Sequence, residues 1–535
     1  MTSSELLFRT EDIALNEIRN LFVETTADRT LVDACKTKAS VVLQGSRGVG
    51  KSFILRVAQS EMDEEFESRG VLPVYLTFNK AGLLQTEDPA QFQHWMLAKI
   101  ANRVLRAARQ RNLVEQPKSI LGLLTPSSSP NETVESQLGD LERQYEESWH
   151  SPGQPVSPGA LEPQLLADAL EDLCESTSLN RVVLLVDEAA HVFIPEQQRQ
   201  FFTLMRDLRS PYLSVKAAVY PGVTSFGDSF QMTHDATFLS VDRDILDTEY
   251  LTSMREIVQK QDPELAEKLA RQGDAFDALA FSATGNPRIL LKTLTRAQPF
   301  NSTNAERAMR EYFRESIWGE HSSLGDRYRG HEALIDWGRD FIERSAIPAI
   351  NERNMRQPEA DQSIAIWMHR DAPTAVKEGL RLLCYSGILQ EAGSGLRASR
   401  SGTGTRFIVN AGCVISHEGT SLIAYGNRLR RQASIKRMVE FGPNHPLYRP
   451  LEGFNLQTLE DAEGSLLESQ LQRSVDELDL SVFLRSKLHE LGFKTVGQVL
   501  SATEQDFRNA HMIGEVRSRQ MMNAAVTAVL EYISG

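Results

Sequence analysis

At 535 residues, with 41% hydrophobic and 24% charged side chains, the chain exceeds what one hydrophobic core supports and reads as three or four globular domains. No run approaches the ~18 apolar residues of a membrane-spanning helix, so no membrane partner is expected; the formal charge of −14 leaves only local basic patches to attract nucleic acid. Cys35, Cys174, Cys384 and Cys413 are far apart, with no Cys-x-x-Cys pair or nearby histidine at zinc-ligand spacing, which points to buried free thiols.

The segment Met1 to Arg9 has no basic stretch leading into an apolar core, so a cytoplasmic location is expected. Ser40 to Gln44 reads as a short buried strand. Gly45-Ser46-Arg47-Gly48-Val49-Gly50-Lys51-Ser52 follows and opens into the helical pattern Phe53 to Ala58. Strand, glycine loop and helix together make a phosphate cradle. The glycines let backbone N–H groups curl around the anion, and the helix N-terminus adds partial positive charge. Lys51 reaches the outer phosphates and the Ser52 hydroxyl ligates Mg²⁺. ATP and Mg²⁺ are the expected ligands.

From about Asn112 to Pro163 the chain is rich in Ser, Pro and Gly and reads as an extended, mobile insertion. A helical segment from Gln164 to Glu175 leads into Arg181 to Val186, an apolar central strand ending in Asp187 and Glu188. Asp187 is expected to hold the Mg²⁺ hydration shell and Glu188 to polarise the attacking water. The alternation of strand and helix implies an α/β fold with a parallel, helix-covered sheet. Arg206 and Arg209 precede the next strand, Val215 to Val219; they read as surface arginines, with a neighbouring subunit's nucleotide as the other reading. Helices dominate from about Asp247 to Arg296.

The Gly45–Ser52 loop, the Val-Asp187-Glu188 strand end and Gly285-Asn286-Pro287-Arg288 before an apolar helix together resemble AAA+ ATPases of the origin-recognition-like clade. The related STAND signalling ATPases share much of this pattern. The resemblance covers about residues 5 to 300 and extends less securely to residue 412. It implies an ATPase in which Arg288 is the lid arginine that contacts the γ-phosphate. A guanidinium fork suits that task. The chain departs from the family after Val219: where many AAA+ proteins present a polar sensor, it has Tyr220-Pro221-Gly222-Val223-Thr224, and Tyr220 and Thr224 are both open as substitutes. This departure makes slow turnover the expectation.

Further on, Pro373 to Tyr385 has helical apolar spacing. Gly387 stops it, Ile388 to Gln390 begins a strand, and two more strands are expected around Leu396 and Thr405–Val409. Helix, strand and hairpin form a winged-helix ending, which origin-recognition-like ATPases carry after the lid. DNA contacts are expected from Lys377 and Arg381 on one helical face and from Arg397, Arg400 and Arg406 on the hairpin; a protein-binding winged helix is the other reading. The cluster Arg428, Arg430, Arg431, Lys436 and Arg437 reads equally as a second phosphate contact or an exposed helix.

The last unit, Leu478 to Arg519, resembles a helix-hairpin-helix module, especially the C-terminal domain of the RNA polymerase α subunit. The resemblance implies DNA-backbone contacts from the Gly514 turn, Arg517 and Arg519, although only one clear hairpin glycine is present and such modules also bind proteins. The expected domains are an ATPase base (1–240, with the insertion at 112–163), a helical lid (241–300), a helical connection and winged helix (301–412), a basic segment and linker (413–472) and an all-α helix-hairpin-helix domain (473–535). Two functions follow: a DNA-engaging ATPase switch, or a STAND-like signalling sensor, for example in anti-phage defence, acting with an effector protein encoded nearby. Both accommodate a homo-oligomer.

Overall fold

The computed structural model describes residues 6–78, 89–113, 134–146, 162–189, 195–227, 229–327, 330–397, 402–432, 438–454 and 471–534. Strands β1 (Val41–Gln44), β2 (Val71–Thr77), β3 (Arg181–Asp187), β4 (Leu213–Val219) and β5 (Thr237–Ser240) form a sheet in the order β2-β3-β4-β1-β5. Every adjacent pair runs parallel. The central strands β3 and β4 are mostly apolar because both faces of the sheet are covered; the buried Lys216 of β4 donates to the Thr37 carbonyl at 2.8 Å. Val182, Leu184 and Val186 pack toward Trp95, Leu170 and Phe202, whereas Val183 and Leu185 alternate to the other face, toward Val32, Leu55 and Val57.

β4 lies between β1 and β3, so three strand tips stand side by side: Gln44 registers with Val219, and Val186 with Ala217. Ligands of parallel sheets sit beyond such carboxyl ends. With the helices Tyr250–Gln261, Pro263–Ala270, Gly273–Ser282 and Pro287–Arg296 forming a lid, this is an α/β fold of P-loop type.

Within the stretch expected to be extended, the helix Val134–Glu146 packs on the helix Pro89–Gln110, burying Leu138 and Tyr145. Lys99 is buried between Glu142 at 3.3 Å and Glu146 at 3.1 Å. The average composition of 112–163 masked this amphipathic helix.

The lid and the residues after it share one hydrophobic core, which joins Phe281 and Leu290 to Phe313, Leu383 and Tyr448. A second sheet, in the order β7-β8-β6-β9, contains β6 (Ala365–His369), β7 (Leu389–Arg397), β8 (Thr403–Val409) and β9 (Val439–Phe441). The helix Thr374–Tyr385 precedes the antiparallel β7–β8 hairpin. β7 unites the two short strands expected there; its glycine-rich middle shifts the register between Glu391, Gly393 and Leu396 without ending the strand.

The C-terminal unit has its own core of Val475, Leu488, Val499, Phe507 and Met521, drawn from the short 3-10 turn Val475–Glu477 and the helices Val482–Glu490, Val496–Leu500, Glu504–Arg508 and Glu515–Ser534. All four cysteines are buried and free. Among the described residues no helix is long and apolar enough to cross a membrane, and no cluster of His, Cys, Asp and Glu could hold a metal.

Candidate nucleotide-binding site

The loop after β1 turns into the helix Lys51–Glu64 through Gly48 and Gly50, whose φ angles of +90° and +108° suit glycine alone. Gly48 is also a point of close approach: a Cβ there would lie 2.8 Å from the Cβ of Arg288 and 2.8 Å from Asn286 Oδ1. Lys51 is only 6% exposed. Its Nζ donates to the carbonyls of Gly45 at 2.6 Å and Ser46 at 3.0 Å and lies 3.8 Å from the centroid of the Tyr220 ring. Burial pushes its pKa down to about 7, against the opposing pull of Asp242 and Asp187. An ammonium folded onto its own loop gains a formal anion when a phosphate arrives.

Asp187, 3% exposed, ends β3. It accepts from the Tyr75 hydroxyl at 2.5 Å and from the Glu188 backbone N–H at 3.0 Å. Tyr75 comes from the adjacent β2, and its ring lies 3.5 Å from the Arg56 guanidinium. Glu188 has φ +51°, a backbone conformation that costs a non-glycine residue roughly 1–3 kcal/mol and concentrates at functional sites. Burial and then the Asp187 charge raise the Glu188 pKa, with Arg47 and Lys51 opposing.

Two residues that sequence reasoning passed over complete the loop. Asp242 follows β5 and accepts from the Ser46 N–H and the Ser240 hydroxyl, each at 3.4 Å. Burial raises its pKa, and Lys51 pulls it back. Arg243 donates to the Val49 carbonyl and to the buried Asp28, each at 2.9 Å. Their one signal was that they follow β5, a four-residue strand with little apolar character of its own.

The lid meets the same loop. Asn286 caps the helix Pro287–Arg296 by accepting from the Ile289 N–H at 3.3 Å, and its Nδ2 donates to the Arg47 carbonyl at 2.8 Å. Arg288 lies against Gly48 and donates from Nε to the Phe8 carbonyl at 3.3 Å.

A third unit, the residues after the lid that carry the second sheet and the helix Thr374–Tyr385, closes on it from another side. Arg47 pairs with Glu320 at 3.2 Å, Gly387 approaches Ser46, and Tyr385 packs edge-on against Tyr220. A Cβ at Gly222 (φ +86°) would lie 1.9 Å from the Arg381 carbonyl oxygen, and Arg381 itself donates to the Thr224 carbonyl at 3.3 Å. Of the two residues left open, Tyr220 touches Lys51, whereas the Thr224 hydroxyl bonds the Tyr220 carbonyl in its own turn.

The helix expected to read a DNA groove therefore ends against the phosphate loop. Arg381 is held between Glu378 and the turn after β4, and Lys377 is half-buried. Arg397 is exposed on β7; Arg406 donates across the hairpin to the Ala392 carbonyl at 2.9 Å; Arg400 lies outside the described residues. In the C-terminal unit Gly514 is open, Arg517 donates to the Met512 carbonyl and Arg519 pairs with Glu515.

Arg428, Arg430 and Arg431 pair with Glu418, Asp274 and Asp277, and Glu359 respectively. These pairs and the packing of their helix favour a structural face over a phosphate contact; Lys436 and Arg437 lie outside the described residues. Arg206 and Arg209 bond locally, to Asp207 and the Ser229 carbonyl and to the His234 carbonyl.

No protein-family model and no curated protein sequence matches the chain. Among solved structures it is similar to the Orc1 protein of Aeropyrum pernix in complex with DNA, with 13% identity, 78% of this chain and 93% of that one covered and a TM-score of 0.29. It is similar also to a RuvB variant of Thermotoga maritima (14% identity, 72% and 90% covered, TM-score 0.26). A third such structure is AMPPCP-bound DnaA of Aquifex aeolicus (10% identity, 57% and 84% covered, TM-score 0.22). These likenesses are distant, and the roles of the residues rest on the site's own geometry.

Proposed function

We propose that the chain binds Mg²⁺-ATP between the loop Gly45–Ser52 and the tip of β3, and that slow hydrolysis there sets the position of the unit carrying the helix Thr374–Tyr385. The observation that carries this reading is the convergence of Lys51, Asp187, Glu188, Arg288 and Tyr385 around one glycine loop. The donor set fits the ligand: backbone N–H groups at a helix N-terminus, an ammonium, a hydroxyl and two carboxylates. Ser52 and Asp187 would hold Mg²⁺, whose charge offsets that of the phosphates when bound. Lys51 exchanges its loop carbonyls for phosphate oxygens, Glu188 takes a proton from the attacking water, and Arg288 couples the phosphates to the lid.

Calorimetric titration of the full chain with Mg²⁺-ATP tests the site. We expect saturable binding, lost in Lys51→Ala; no uptake of heat by the folded protein refutes the assignment.

DNA is the proposed partner of the output, through the exposed Arg397, with Lys377 and Arg400. The contact of Arg381 with the turn after β4 supports an alternative output in which the winged-helix unit reports nucleotide state to an effector protein, as in STAND-like sensors. A salt titration of duplex binding separates the two. DNA engagement predicts affinity at low salt that weakens in Arg397→Ala, while the sensor predicts none.

A further inference from the structure

We propose that the C-terminal unit docks an amphipathic segment of another protein, one that presents apolar side chains flanked by carboxylates. Its binding face is formed by the first turns of the helices Val482–Glu490 and Glu515–Ser534 together with the turn between Ala510 and Gly514. Among the described residues seven large hydrophobic side chains are markedly exposed, and four of them lie in this small unit: Val482 at 77%, Phe483 at 40%, Met512 at 62% and Val516 at 71%.

Arg517 joins these positions into one patch. Its guanidinium lies 5.2 Å from the Phe483 ring centroid and donates to the Met512 carbonyl at 2.7 Å, which brings the two helix starts and the turn together. The patch is no leftover of core packing. Leu484, Leu488, Ile513 and Met521 are buried in the unit's own core, while their neighbours Phe483 and Met512 face outward. First turns of helices favour polar and acidic residues, so β-branched apolar side chains exposed at Val482 and Val516 have no local reason to be there. Apolar side chains gathered on a small domain mark an interaction surface.

Charge selects the occupant. Arg519 is paired with Glu515, but among the described residues no carboxylate pairs with Arg517. Lys487, 5.8 Å from the same Phe483 ring, is paired with Glu490, so Arg517 carries the net charge of the rim. Cations at the rim of an apolar patch favour a partner whose carboxylates flank its apolar side chains. DNA fits less well, because Met512 and Val516 stand on either side of the Gly514 turn, where a phosphate would have to be desolvated against them. The inference is independent of the nucleotide site.

The test uses the full chain and a fluorescein-labelled synthetic helical peptide with leucines along one face and glutamates beside them, read by fluorescence anisotropy. We expect saturable binding that weakens about tenfold or more in Val482→Glu and in Val516→Glu, and by a smaller factor in Arg517→Gln. Both glutamates enter the first turn of a helix, where the dipole favours them, so the fold is retained and a melting curve checks this. Absence of binding overturns the proposal, as does equal binding of a twin peptide with lysines for glutamates. So does finding that Val516→Glu instead abolishes binding of duplex DNA or self-association measured by sedimentation.

Discussion

Tyr385 packs edge-on against Tyr220 with ring centroids 5.7 Å apart, and the same Tyr220 ring faces the Lys51 ammonium. A side chain of the third unit is thus one residue removed from the ammonium proposed to meet the phosphates. Movement at the loop has a direct packing route to the helix Thr374–Tyr385.

Weakening this contact is expected to speed nucleotide exchange. An aromatic pair contributes about 0.5–1.5 kcal/mol beyond its buried area, so Tyr385→Leu should raise the dissociation rate of a fluorescent ATP analogue several-fold. Gly222→Ala should act in the same direction and more strongly, because the new methyl meets the Arg381 carbonyl. Stopped-flow displacement measures both; unchanged rates would show that the third unit does not gate the site.

Nucleotide affinity should depend on pH through Lys51. In the free protein burial holds its pKa near 7, whereas bound phosphates require the ammonium, so binding takes up a proton above that pH. Affinity is expected to rise as pH falls from 8 towards 7 and to level off below. Calorimetry in buffers of different ionisation enthalpy should reveal the proton uptake directly, and its absence would place Lys51 fully charged before the ligand arrives.

Glu188→Gln should retain ATP and block turnover, since the amide keeps the side chain's shape and loses the proton acceptor. In the wild type the raised pKa of Glu188 moves the acid limb of turnover upward from where an unperturbed glutamate would put it, because the base works only when ionised. Phosphate release by the variant at the wild-type rate would remove Glu188 from the water-activating role.

Tyr75→Phe removes the hydroxyl that Asp187 accepts, leaving the carboxylate without its partner from β2. A hydrogen bond to a charged group contributes about 1.5–3 kcal/mol. The variant should therefore need several-fold more Mg²⁺ for half-maximal ATP binding while its thermal stability changes little. A Mg²⁺ titration at fixed ATP reads the effect.

The phosphate loop, the acidic strand tip and the Asn286-Pro287-Arg288 helix start were legible because each is a contiguous stretch whose chemistry fixes its spacing. A cradle of N–H groups needs adjacent glycines, and a helix start needs its cap and proline in order. The parallel sheet followed from the alternation of strand and helix. The helix Val134–Glu146 was hidden because its residues were averaged with Ser- and Pro-rich flanks. Asp242, Arg243 and Tyr75 carry no local motif and reach the loop only because β5 and β2 take their places in the sheet.

The sequence by itself singled out the glycine loop and the acidic strand tip proposed to hold a phosphate. Tertiary structure alone decided that Tyr385, Arg381 and Glu320 close on that site, Arg381 reaching Thr224 across 157 positions and Glu320 reaching Arg47 across 273. The physical reason is range: a motif is held by neighbours along the backbone, whereas an interdomain contact depends on how separately formed surfaces meet, which no local pattern encodes.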